Sequence, residues 1–242
     1  MIEQKTHRLV ERPQISARFL ADYMSSSPIK RRSIITGCKY QSLARVVQHD
    51  EAKQSISKFL RTENPQISDL KNTANKLRSR LADDDFERDL YDHNADYIDQ
   101  FVKKVDEIEL PLDVERLVPG KSPSITLGNV KVTADIQMRL RRLTKTNKVK
   151  IGALMLRYSK GKALKPETGV WQSAFLMGYL GLTSTEEGAE PEHKLCITVD
   201  IYGGVSYCAP TDSLTKFKHL EAECLGIAER WDKIPPPPKA IF

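Results

Sequence analysis

Apolar and polar residues alternate strictly between Asn129 and Leu140. Val130, Val132, Ala134, Ile136, Met138 and Leu140 are apolar, and Lys131, Thr133, Asp135, Gln137 and Arg139 between them are polar. A period of two predicts a strand with one buried face. The run Val149 to Tyr158 is apolar on both faces, as in a strand covered on both sides. The basic stretch RLTKTNK joins these two runs, and Ile125 to Leu127 followed by Gly128-Asn129 predicts a hairpin ahead of them. After the VPGKSP loop, the three runs read as a meander.

Helical spacing brackets these strands. Phe86, Leu90, Tyr97, Phe101, Val105 and Ile108 form one stripe, with Asp83 to Asp85 where carboxylates suit a helix start. Thr168 to Leu182 is apolar nearly all round and predicts a buried helix. The segment STEEGAEPEHK reads as a surface loop, and LCITVDIY, Gly203-Gly204 and VSYCA as a second hairpin. Thr211 to Ile234 reads as a last helix. Upstream, residues 1–28 read as a loosely attached lead-in with a short helix at Ile15 to Tyr23. Ser27-Pro28 marks a further helix start, and Leu43, Val46 and Val47 begin a run reaching Leu60. Ile67, Leu70, Leu77 and Leu81 give a thin stripe, a surface helix or a crossing segment. The final PPPPKAIF reads as a disordered extended end.

This order predicts an α+β fold with three regions: an N-terminal helical region at 1–85, an α/β core at 86–234 and a Pro-rich tail at 235–242. With 242 residues, 40% hydrophobic and 29% charged, the composition is that of an ordinary globular protein. No apolar run is long enough to span a bilayer and no signal-peptide core is present, which predicts no membrane partner and a cytoplasmic (or, in a eukaryote, nuclear) protein. A net charge of +6 permits a polyanionic partner. Cys38, Cys196, Cys208 and Cys224 form no CxxC pair and read as free thiols. Dinucleotide, P-loop, HExxH and GxSxG motifs are absent.

Candidate chemistry is sparse. Asp135 is a lone strand acid, His93 lies on the apolar side of its helix, and Gln172 is the one strongly polar side chain inside the buried helix. Arg139, Arg141, Arg142, Lys145, Lys148 and Lys150 make the hairpin end the most basic patch, a solvated tip or a contact for phosphates.

The order of these features resembles the PD-(D/E)XK nuclease superfamily, above all its RecB-like exonuclease branch. SSSPIKRRSIITGCKY is similar to the opening pattern of serines, a short helix and a Cys-x-Tyr ending. His93 stands where the family often has His or Glu. Gly128 and Asp135 resemble the glycine and metal-binding aspartate of the second strand, and Gln172 with Phe175 and Tyr179 the glutamine-aromatic helix. The resemblance spans about residues 25 to 210. It implies a restriction-endonuclease-like core of helix, three-stranded meander, helix and hairpin, and metal-dependent cleavage of DNA. Asp135 and His93 would be ligands for Mg²⁺ or Mn²⁺, Gln172 a site-orienting amide, and Arg139, Arg142, Lys145, Lys148 and Arg157 contacts to nucleic acid. The third strand departs from the pattern: Met155 falls where the acid belongs and Arg157 where the lysine belongs. Arginine stays protonated and is a poor general base. Two readings follow. In one, an acid such as Asp200 or Glu167 completes the site. In the other, a degenerate module binds nucleic acid or a protein partner. The family's iron–sulfur members cluster three cysteines near the C-terminus; Cys196, Cys208 and Cys224 are not so clustered, and no cluster is expected.

Overall fold

The computed structural model describes residues 5–44, 48–238 and 240–242. The chain begins with two short strands, β1 (His7–Leu9) and β2 (Gln14–Ser16), and two helices, α1 (Ala17–Met24) and α2 (Pro28–Lys39). Ser16 and Ser27 cap these helices by accepting the N–H of Phe19 and Lys30, which would otherwise lack a partner. Strand β3 (Tyr40–Ser42) precedes three helices, α3 (Asp50–Arg61), α4 (Ile67–Ser79) and α5 (Asp85–Lys104). Five strands follow: β4 (Glu115–Leu117), β5 (Ile125–Leu127), β6 (Val130–Thr133), β7 (Met138–Leu143) and β8 (Val149–Arg157). Helix α6 (Pro166–Thr183), strands β9 (Glu190–Asp200) and β10 (Val205–Cys208), and helix α7 (Ser213–Arg230) complete the chain.

The fold is α+β. A five-stranded sheet has the order β10-β9-β8-β7-β4. Strands β4, β7 and β8 are successively antiparallel, and α6 carries the chain over to β9, which lies parallel to β8. Two cores cover the sheet. Ala153 and Met155 of β8 face one core, with Phe175 and Leu176 of α6 and Leu220 of α7. Leu154, Leu156 and Tyr158 face the other, with Ile56 of α3, Leu77 of α4 and Ile98 of α5. Burial on both faces is why β8 reads as an unbroken apolar run. At Gly152 the β8–β9 register slips, and an added Cβ would fall 2.1 Å from the Leu195 carbonyl oxygen, so the missing side chain is what lets the backbones approach.

The continuous strand expected from Asn129 to Leu140 is divided. β6 pairs with β5, through a turn in which Gly128 and Asn129 have φ of 48° and 64°, and with β2 in a separate three-stranded sheet. β7 belongs to the central sheet, whose first meander strand is β4, just ahead of the VPGKSP loop. At the crossing, Gln137 turns inward. It is buried, and its amide oxygen accepts the Leu156 N–H at 2.7 Å. That contact breaks the alternation, because an expected outward position becomes an inward one.

The other differences share a cause, in that polar-looking segments find partners in the core. Residues 14–24 are not a loose lead-in: β2 pairs with β6, and Ile15, Leu20 and Tyr23 enter the same core as α6 and α7. Residue 85 is therefore no boundary of the core. α2 runs through Gly37, while α3 begins only at Asp50; Val46 and Val47 lie outside the described residues. α4 is a packed helix with Leu70, Ala74 and Leu77 buried, and β9 already begins at Glu190, within the expected surface loop. The end of the chain is docked: Thr6 and His7 donate backbone N–H groups to the Ile241 carbonyl, and Phe242 lies 5.4 Å from the Tyr40 ring. The buried Lys39 ammonium donates to the carbonyls of Trp231, Asp232 and Ile234 beyond α7, and Tyr40 donates to that of Ile234.

A pair of glycine substitutions checks the close approach of β8 and β9. Gly152→Ala is expected to lower the unfolding free energy by about 1–3 kcal/mol in a urea titration, as overpacking does. Gly181→Ala, on α6 with nothing within 4 Å of the added methyl, is expected to raise it by about 0.5–1 kcal/mol. Equal effects at the two positions would contradict the packing at Gly152.

Candidate functional site

The parallel pairing of β8 with β9 sets Arg157 and Asp200 side by side at the carboxyl ends of the two strands, where the chain leaves toward the start of α6. In sheets with such a crossover, the crevice beyond the strand ends is the usual place for a ligand. Arg157 forms its floor. Nη2 donates to Asp22 Oδ1 at 2.6 Å, and Nη1 donates to Gln172 Oε1 at 2.9 Å and to the Arg18 carbonyl at 3.2 Å. Burial lowers the pKa of Arg157, and the Asp22 carboxylate pulls it back up. The guanidinium therefore stays charged and ties α1, β8 and α6 together. Asp200 is buried beside it, with Oδ2 accepting the Leu164 N–H at 2.7 Å and Oδ1 that of Tyr202 at 3.1 Å.

The crevice has a volume of about 370 Å³. Arg18, Lys30, Arg157, Lys162 and Lys165 line it against two carboxylates, Asp22 and Asp200, both engaged in the bonds just described. Among the described residues, none of Arg18, Lys30, Lys162 and Lys165 is ion-paired, so the cations lining the crevice outnumber its two carboxylates. Thr168 in the first turn of α6 shares a 2.5 Å hydrogen bond with Ser25, and both line the opening. Phe19, 46% exposed, stands at the rim. One turn behind Thr168, the Gln172 Nε2 is fully buried with no hydrogen-bond partner.

The structure brings Arg157 and Gln172 into contact but leaves the other expected residues apart from them. Asp135 lies in the crossing between β6 and β7. Its carboxylate is largely exposed, opens onto a different cleft shared with Asp50, and is bound by the Lys53 ammonium at 2.5 Å. That ammonium stands where a metal would need an open carboxylate. Among the described residues, no group of three His, Cys, Asp or Glu side chains could hold a metal ion. Asp135 is thus paired with an ammonium, and Asp50 is the other carboxylate lining its cleft among the described residues. His93 is half-buried on α5, and its Nδ1 bonds the Asp89 carbonyl at 2.6 Å. Arg139 is held near the ring of Tyr179 in a cleft by the far end of α6. Arg142 pairs with Glu192 and Asp113, while Lys145 and Lys148 stay at the hairpin tip. Arg18, Phe19, Asp22, Lys162 and Lys165 were not expected from the sequence. The one local signal is the basic run SKGKALK between the end of a buried strand and the proline that opens α6.

On the opposite face, Tyr158 stacks on Tyr97 with centroids 4.3 Å apart, and His49 stands edge-on to both. Burial pushes the His49 pKa down to about 4, with Lys53, His93 and Arg18 adding to the shift and Asp50 opposing it. A free histidine titrates near 6.5, so between about pH 6.5 and 4 the unfolded chain holds a proton that the folded chain does not. Stability is expected to fall as pH drops through that window, by at most about 1.4 kcal/mol per pH unit from this residue. His49→Phe should flatten the dependence in urea titrations; an unchanged slope would mean that His49 titrates normally.

No family model matches this chain, and no curated protein matches it significantly.

Proposed function

We propose that the chain is a nuclease-like module that binds DNA without cleaving it, through the crevice at the ends of β8 and β9. The observation that carries this reading is the set of four unpaired cations, Arg18, Lys30, Lys162 and Lys165, around the buried Arg157. Unpaired cations converging on a crevice suit phosphate groups, whose binding releases counterions. The first turn of α6 favours the same charge through the helix dipole. Phe19 at the rim offers a face on which a base can stack, as in proteins that hold single strands.

The nuclease-like part of the reading is supported by element order: α5, the β4–β7–β8 meander, α6, then β9 parallel to β8. The absence of cleavage is supported by the third meander strand. Met155, where that family places an acid, is 3% exposed and packed in the core. Arg157, two residues on, is committed to Asp22 and Gln172. Asp200, the other candidate for the acid, accepts backbone N–H groups with both oxygens.

Fluorescence anisotropy with labelled single- and double-stranded DNA, in Mg²⁺ and at several salt concentrations, tests this. The expected result is salt-sensitive binding with the DNA intact. Lys162→Ala and Lys165→Ala should each reduce the log–log salt slope by about 1. Binding unaffected by these substitutions would remove the crevice from the interface. Cleavage abolished by Asp135→Ala would replace this reading with an active nuclease.

A further inference from the structure

A second cleft, of about 480 Å³, opens by the carboxyl end of α6. α6 has 18 residues and a length of about 27 Å, so the two openings lie at opposite ends of the helix. The wall is mainly aliphatic, with Leu140 of β7, Ile151 of β8 and Leu180 of α6. The charged lining residues are Lys121, Arg139, Arg141 and Glu186, and Arg139 is the half-buried one without a carboxylate. Its guanidinium carbon lies 5.9 Å from the centre of the Tyr179 ring, and among the described residues it has no carboxylate partner. Burial lowers its pKa, opposed chiefly by Tyr179. Arg141, two residues along the same strand, shows the contrast: it lines the same cleft but is bound by Glu115 and Glu186.

A partly desolvated guanidinium without an anion is unfavourable, and the aromatic face offsets only part of that cost. Its planar fork suits a carboxylate, which accepts two parallel N–H bonds. The volume falls within the range of small-molecule sites, and an aliphatic wall with one oriented polar group is their usual make-up. We propose that this cleft binds a small amphiphilic carboxylate, with the carboxylate on Arg139 and the hydrocarbon body against Leu140, Ile151 and Leu180. Arg139 is the half-buried charge of the cleft, Arg141 is neutralised by Glu115 and Glu186, and Lys121 is exposed, so one fork beside an aliphatic wall matches a monoanion with a tail. A polyanion would be matched instead by the several unpaired cations of the crevice beyond β8 and β9.

The test uses the full chain and octanoate as the probe, with octanol and inorganic phosphate as controls, read by thermal unfolding and isothermal calorimetry. A ligand that binds only the folded state raises its stability in proportion to the logarithm of ligand concentration over Kd. Octanoate is expected to raise the unfolding temperature at millimolar concentration, with one site by calorimetry, and octanol and phosphate to leave it unchanged. Arg139→Met should remove the octanoate response, because it keeps the apolar bulk and deletes the fork. Thr183→Trp, at a lining position on the last turn of α6, should block octanoate by filling the cleft, and it serves as the test if Arg139→Met does not fold. Equal protection by octanol would show an unspecific apolar surface. Protection by phosphate would show an anion site without a place for the tail. An undiminished octanoate response in either variant, or no response in the parent chain, would overturn the proposal.

Discussion

A buried guanidinium must be compensated, and the compensation of Arg157 organises the centre of this protein. Its partners come from two distant parts of the chain: Asp22 and the Arg18 carbonyl from α1, and the Gln172 amide from α6. A buried charge missing one partner costs more than the net worth of the pair, because the remaining charge is left desolvated and unmatched. The N-terminal segment is thus held to the sheet by charge as well as by Leu20 and Tyr23 in the core. The bond to Gln172 also orients α6, so that Thr168 and the first turn face the same opening as Arg157. One interaction fixes the floor of the crevice, one side wall and the helix start at its edge.

The crossing at residues 134–137 is the second constraint. A chain that continued in one sheet would keep Asp135 on a strand face. The switch from the β2-β6-β5 sheet to the central sheet instead puts Asp135 in a connection, where it meets Lys53 of α3. Gln137 holds the turn by bonding back to β8. The acid that looked central in the alternating pattern is set beside another helix, and the crevice beyond β8 and β9 takes its charge from elsewhere.

Much of the fold was legible because burial leaves a periodic record. β8, buried on both faces, was an unbroken apolar run, and α6, buried all round, had no polar stripe. Ser27-Pro28 and Asp84 marked helix starts through local capping chemistry. Illegible were features set by long-range contacts. The alternation from Asn129 to Leu140 carries no mark of a change of sheet, since Val132 and Met138 are buried in different cores. β2 has three residues, too few for a period, and owes its strand conformation to pairing with β6. The candidate site was half visible. Gln172 stood out as a polar residue in an apolar helix, but Asp22 and Arg18 lie in a polar-looking segment whose role depends on where Arg157 points.

The distribution of charge shows why counting basic residues misplaces a binding surface. The β7–β8 hairpin has the densest basic sequence, yet Arg141, Arg142 and Lys150 are each matched by a glutamate of a neighbouring segment: Glu115 and Glu186, Glu192, and Glu190. Such pairs knit β4, β7, β8 and β9 at one end of the sheet and present little net field to a polyanion. The cations around the crevice are fewer and scattered over α1, α2 and the segment before α6, so no window of sequence reveals them. They converge because the crossover places two strand ends and a helix start together. What separates a surface built to meet an anion from one that is merely basic is the absence of internal counterions. By that measure the strand-end crevice and Arg139 hold positive charge that is unmatched among the described residues, whereas Arg141, Arg142 and Lys150 on the hairpin strands are matched.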